Sequence, residues 1–123
     1  MGAIGVLIVH HQEEGRRAAR AVVSATPALE AVGEVATAEE ALELAVTLRP
    51  GLALVGTDMP GIDGFETSRR LKEAMPDSTV VLLYASGEPD ADVLARSEAA
   101  AAIHVDELTS ASLQAFGEGF KSG

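Results

Sequence analysis

At 123 residues the chain is long enough for one packed core and too short for two ordinary domains, so residues 1–123 are read as a single domain. Its 19 acidic against 9 basic residues leave a net charge of −10, which excludes a surface built to grip a phosphate backbone or an anionic membrane. There is no cysteine, hence no disulfide, no Cys-ligated zinc and no thiol nucleophile, and no apolar run reaches the length of a signal peptide or a membrane span, so a cytoplasmic protein is expected.

In chain order, Ile4–Val9 (IGVLIV) reads as a first strand. Helix one is expected from Glu13 to Ala25, with acidic residues at its positive end and Ala18, Ala19, Val22 and Val23 on its buried face. Val32–Ala36 reads as a short second strand. Thr37 opens helix two as an N-cap, with Glu40 three residues on completing a capping box, and Arg49-Pro50-Gly51 stops it. The stretch Leu52–Gly64, LALVGTDMPGIDG, begins as a strand buried on both faces, breaks at Gly56, turns through Met59-Pro60-Gly61 and restarts as a helix capped by Asp63 with Glu66. Helix three then covers Gly64–Ala74, with Phe65, Leu71 and Met75 facing the core. Thr79–Tyr84 (TVVLLY) is the most strand-like run. Ala91–Ala99 reads as helix four, Ala101–Val105 as strand five, and Thr109–Phe120 as helix five with Leu113, Phe116 and Phe120 at helical spacing. Strands alternating with helices predict a parallel sheet covered on both faces: an α/β flavodoxin-like (βα)5 fold with strand order 2-1-3-4-5.

This pattern, with MPGIDG after strand three, LIVHHQEEGR at strand one and ALELAVTLRPGLALV across helix two and strand three, resembles the receiver domain of bacterial two-component response regulators over about Ile4 to Phe120. The resemblance implies a set of side chains at the carboxyl ends of the strands. Two carboxylates after strand one hold Mg²⁺. An Asp ending strand three takes a phosphoryl group, a Thr or Ser ending strand four bonds its oxygens, and a Lys after strand five neutralises it. Aligned on Met59-Pro60, these positions fall on His10 and His11, Gly56, Tyr84 and Asp106. Gly56 has no atom to phosphorylate, imidazoles are poor partners for Mg²⁺, Tyr84 holds its hydroxyl too far from the backbone, and Asp106 reverses the charge. The aromatic switch position falls on Ile103, and Tyr84 is expected to fill part of the space beside it.

Each of these residues also has a plainer role. His10 and His11 suit Zn²⁺, Ni²⁺ or Cu²⁺ with Asp58 or Asp106, but neighbours on a strand point to opposite faces, so a shared ion needs a break at the strand end. Asp58 is favoured as a turn residue over a displaced phosphoacceptor, and His104 as a satisfied core or edge histidine over a ligand. No G-x-S-x-G, G-x-G-x-x-G or P-loop occurs. The expectation is therefore a non-enzymatic pseudo-receiver without cofactor or metal. It would signal independently of phosphorylation through a protein partner or self-association at the face made by helix four, strand five and helix five, with no direct nucleic-acid or membrane contact. RRAAR and RRLKEA resemble regulators with a DNA-binding output domain, which points to transcription control if more chain follows Gly123 and to an adaptor if none does. The alternative is a small-molecule or metal sensor using the altered pocket.

Overall fold

A computed structural model describes residues 3–115. Five strands, β1 (Ile4–Val9), β2 (Leu29–Val35), β3 (Leu52–Gly56), β4 (Thr79–Tyr84) and β5 (Ala101–His104), form one sheet in the order β2-β1-β3-β4-β5. Every neighbouring pair is parallel. Between them run α1 (Glu13–Ser24), α2 (Ala38–Leu48), α3 (Gly64–Ala74) and α4 (Ala91–Ser97), and residues 110–115 are helical. This is the flavodoxin-like topology expected from the alternation of the sequence.

The pleat divides the core in two. Leu7, Val9, Ala53, Val55, Val80 and Leu82 face one side with Ala38, Ala41 and Ala45 of α2 and Leu71 of α3. Val6, Ile8, Leu52, Leu54, Val81 and Leu83 face the other with Ala19 and Val23 of α1 and Leu113. Consecutive strand residues thus belong to opposite clusters, as a period of two requires. All five residues of β3 are buried, because it is the middle strand and has helices above and below.

Several boundaries differ from the sequence expectation. β2 begins at Leu29, three residues before Val32, because Leu29–Ala31 continue the pairing with Ile4–Val6. Glu30, Gly33 and Glu34 hide this edge strand from an apolar-run reading. The register slips between Val6 and Leu7, leaving Val32 bulged out and 36% exposed. On α1 the buried stripe is Ala19 and Val23, and Ala18 is exposed, because the stripe follows Gly15, Ala19, Val22 and Val23 around the helix. α4 stops at Ser97, where Glu98 turns left-handed, and β5 yields to a 3-10 turn over Val105–Glu107. Met59 is buried at 6% exposure although it sits in the turn. Phe65 and Met75 are half-buried against the core, and Phe116 and Phe120 lie outside the described residues.

The caps are real but differ in detail. Glu40 N–H donates to Thr37 Oγ1 at 3.2 Å, and the Glu40 carboxylate reaches back to Ala36 N–H rather than to Thr37 N–H. At α3, Glu66 N–H donates to Asp63 Oδ1 at 2.9 Å. The Glu66 carboxylate instead accepts from Arg69 and Arg70, which holds its pKa down at about 2. Arg69 also bonds Glu73, so these arginines are paired along their own helix. A reciprocal cap unseen in the sequence joins Thr109 and Ser112 at 3.0 and 3.1 Å and starts the last helical segment.

The MPGIDG turn brings α3 hard against β3. Gly61 has φ 77°, and Gly64 N–H donates to Thr57 O at 3.1 Å. A Cβ on Gly64 would overlap the Gly56 carbonyl oxygen and come within 2.7 Å of Thr57 Cα, both backbone atoms with nowhere to move. Gly64→Ala is therefore expected to lower stability by about 3 kcal/mol, at the upper end of overpacking effects, against the usual gain from removing a helical glycine. Urea denaturation of the two proteins measures it.

Candidate functional site

The carboxyl ends of β1, β3 and β4 converge on a small pocket lined by His10, His11, Gln12, Gly56, Thr57, Asp58, Leu83, Ala85 and Val105. This is where side chains and loops gather in a doubly wound sheet. β1 ends at Val9, so His10 and His11 both lie past the strand and escape its alternation. Their rings stack, with centroids 5.6 Å apart and planes within 4°.

The His10 ring is wedged between two glycines. A Cβ on Gly15 of α1 would run into its Cε1 and Nδ1, and one on Gly56 would lie 3.0 Å from its Cδ2. β3 thus ends without a side chain, and an imidazole from the loop after β1 stands over that position. Gln12 N–H donates to His10 Nδ1 at 3.1 Å, and Arg16 Nη1 donates to the His10 carbonyl at 2.8 Å. An accepting Nδ1 places the proton of the neutral ring on Nε2. Burial first, then the neighbouring His11, push the His10 pKa below its usual value. His11 Nδ1 is buried without a hydrogen-bond partner. Asp58 is exposed in the turn.

Of the positions singled out in the sequence, the pocket gathers His10, His11, Gly56 and Asp58. Tyr84 and Asp106 stand beside it, and its lining from β4 and from the loops after β4 and β5 comes instead from Leu83, Ala85 and Val105. Tyr84 lies on the α4 side of the sheet, edge-on to His104 with ring centroids 5.4 Å apart. Burial, with Glu88 and Glu107 nearby, raises its pKa. Ile103 faces the opposite side with Leu108, so Tyr84 and Ile103 do not share a space. Asp106 is exposed in the 3-10 turn, its side chain 87% accessible. His104 is satisfied twice: its Nδ1 accepts Asp106 N–H at 3.1 Å and its Nε2 lies 3.0 Å from the Ala85 carbonyl. Gly15 is the site residue that sequence reading passed over, and its only signal was a glycine placed inside helix one.

Among the described residues no three His, Cys, Asp or Glu side chains gather as a metal site would require. The pocket measures about 70 Å³. That admits ordered water and falls far short of the roughly 300–1,000 Å³ of small-molecule sites. No helix among the described residues is long and apolar enough to cross a membrane.

Residues 6–106 match the profile of the response regulator receiver domain family. The chain belongs to that family. The receiver domain is 33% identical over 107 residues, 87% of its length, to protein-glutamate methylesterase/protein-glutamine glutaminase 1 of Syntrophus aciditrophicus, of which it covers 31%. It is 31% identical over 65% of its length to the transcriptional regulatory protein LiaR of Bacillus subtilis, of which it covers 38%. The chain thus spans well under half the length of these curated relatives. Among solved structures, the receiver domain of the response regulator NarL from Mycobacterium tuberculosis shares its fold, with a TM-score of 0.83 at 22% identity over 97% of this chain and 99% of that one.

The wedge geometry makes a double-mutant cycle informative. Gly15→Ala in this receiver is expected to destabilise by about 1–2 kcal/mol, since the new methyl displaces the His10 ring. In a His10→Ala background the same change is expected to stabilise by about 0.5–1 kcal/mol, the normal helical preference. Chemical denaturation of the four proteins gives the coupling.

Proposed function

We propose that this domain is a pseudo-receiver: a single, non-enzymatic, cytoplasmic signalling module that works without accepting a phosphoryl group. The observation that carries the reading is β3 ending on Gly56 with the His10 ring standing over it. The position that accepts phosphate in the resemblance has no nucleophile, and the space a phosphoryl group would need is occupied by a neutral imidazole. The rest of the pocket agrees. Its lining from β4 and from the loops after β4 and β5, Leu83, Ala85 and Val105, offers no hydroxyl to bond phosphoryl oxygens and no ammonium to neutralise them. The one carboxylate in the lining, Asp58, is exposed. Two stacked imidazoles make a poor Mg²⁺ site, because that ion wants several oxygen ligands in octahedral array.

The output is then protein contact rather than chemistry. β5 is an edge strand whose four residues are all half-exposed, and with α4 it forms part of a face open to a partner or a second copy. Likeness to a methylesterase covers only 31% of that relative, which supports a regulatory part without the esterase activity. Likeness to the transcriptional regulator LiaR supports transcription control as the setting, with any DNA contact made elsewhere, since Arg69 and Arg70 are paired to Glu66. A small-molecule sensor finds little support in a pocket of about 70 Å³.

Incubation with acetyl phosphate and Mg²⁺ is expected to leave the intact mass unchanged, and beryllofluoride is expected to leave the amide spectrum unchanged. A stoichiometric phosphoryl adduct would overturn the reading, and its loss in Asp58→Ala would identify a displaced acceptor. Concentration-dependent mass by light scattering, reduced by a charged substitution on β5 such as Ala101→Glu, is the companion test of self-association.

A further inference from the structure

The chain has three histidines, and all of them sit at the carboxyl edge of the sheet, two after β1 and one ending β5. Two of them, His10 and His104, make the same contact. Each ends or follows a strand, and each accepts through Nδ1 the backbone N–H of the residue two positions on, Gln12 or Asp106, at 3.1 Å. That contact exists only while Nδ1 is unprotonated. Histidine is the side chain whose ordinary titration lies between pH 5 and 8.

The two sites differ in what protonation would bring. At His104 the Asp106 carboxylate already lies 3.7 Å from Nδ1, so a charged ring there has a new partner waiting. At His10 the new charge would meet His11 from the same loop and Arg16 from α1, with only the exposed Asp58 carboxylate from the β3–α3 loop on the opposing side. Gln12 is the N-cap of α1 and has no side-chain cap of its own, so the Nδ1 contact helps tie down the helix start. Glu13 and Glu14 in the first turn soften the repulsion between a cation and that positive helix end without offering His10 a bonded partner.

We infer that His10 is a proton-sensitive latch: neutral, it holds the β1–α1 loop to the pocket through Gln12; protonated, it surrenders that bond and leaves its seat between Gly15 and Gly56. This deepens the pseudo-receiver reading, since it gives the emptied pocket an input, and it rests on that reading only for its meaning as a signal. The linkage has a definite sign. The His10 pKa is lowered in the folded state, so the stability due to the neutral ring is complete above about pH 6.5 and is lost as pH falls through that value toward the folded one.

The test is an NMR titration of the chain from pH 8 to 5, following the His10 ring nitrogens and the Gln12 amide. The expected result is that Gln12 moves together with His10, with a midpoint below 6.5, and that protection of the first α1 amides falls by about threefold to tenfold between pH 7.5 and 5.5. His10→Asn presents an oxygen where Nδ1 sits and cannot titrate, so it should keep the neutral-pH Gln12 shift and lose its pH dependence. His104→Gln should leave the Gln12 response intact. A Gln12 amide that stays put while His10 titrates, or one that moves equally in His10→Asn, would overturn the latch. Should His10→Asn fail to fold, the wild-type comparison of Gln12 with His10 decides alone. A phosphoryl adduct in the mass experiment would count against the pseudo-receiver reading and leave this titration unaffected.

Discussion

Everything in this domain follows from burying β3 on both faces. A strand with no solvent side must have a neighbour on each edge and a helical layer above and below. β1 and β4 supply the neighbours, α2 and α3 cover one face, and α1 with Leu113 covers the other. The parallel connections this requires run from one end of the sheet to the other. They leave all the carboxyl ends together, so the loop after β1, the end of β3 and the start of the loop after β4 become neighbours although far apart in sequence. The site is a by-product of covering the middle strand.

At that site a receiver fold holds a tightly built turn with a histidine ring beside it. The turn after β3 retains each feature that shapes it: buried Met59, the positive φ of Gly61, the Asp63 cap, and Gly64 pressed onto the Gly56 carbonyl. What stands in the middle is a side chain from the loop after β1. Gly56 and Gly15 together open a slot one ring wide, and His10 fills it. The neutral imidazole there brings a lone pair that accepts the Gln12 backbone N–H.

Much of this was legible in the sequence because it is local. Short apolar runs and the period-3.6 pattern placed five strands and four helices, and Thr37 and Asp63 marked their helix starts through short-range hydrogen bonds. The losses occurred where a residue's role depends on a distant partner. Leu29–Ala31 read as loop because the pairing with Ile4–Val6 that makes them a strand is not a local property. Glu66 read as half of a capping box, yet its carboxylate does better with two guanidinium groups on the next turn. Val105 rather than Asp106 lines the pocket, since a 3-10 turn after His104 rotates the chain in a way no periodicity announces.

The sequence by itself determined the fold class, the strand order and the presence of a glycine at position 56, since these rest on patterning and on which residue occupies a position. Only the tertiary structure decided what fills the space. Gly15, Gly56 and His10 come from a helix, the end of β3 and the loop after β1, and nothing in their spacing says that the three share one slot. Packing density forces that answer: a gap between two glycines is not left empty in a folded interior, and the ring that fills it is whichever one the folded backbone brings within reach.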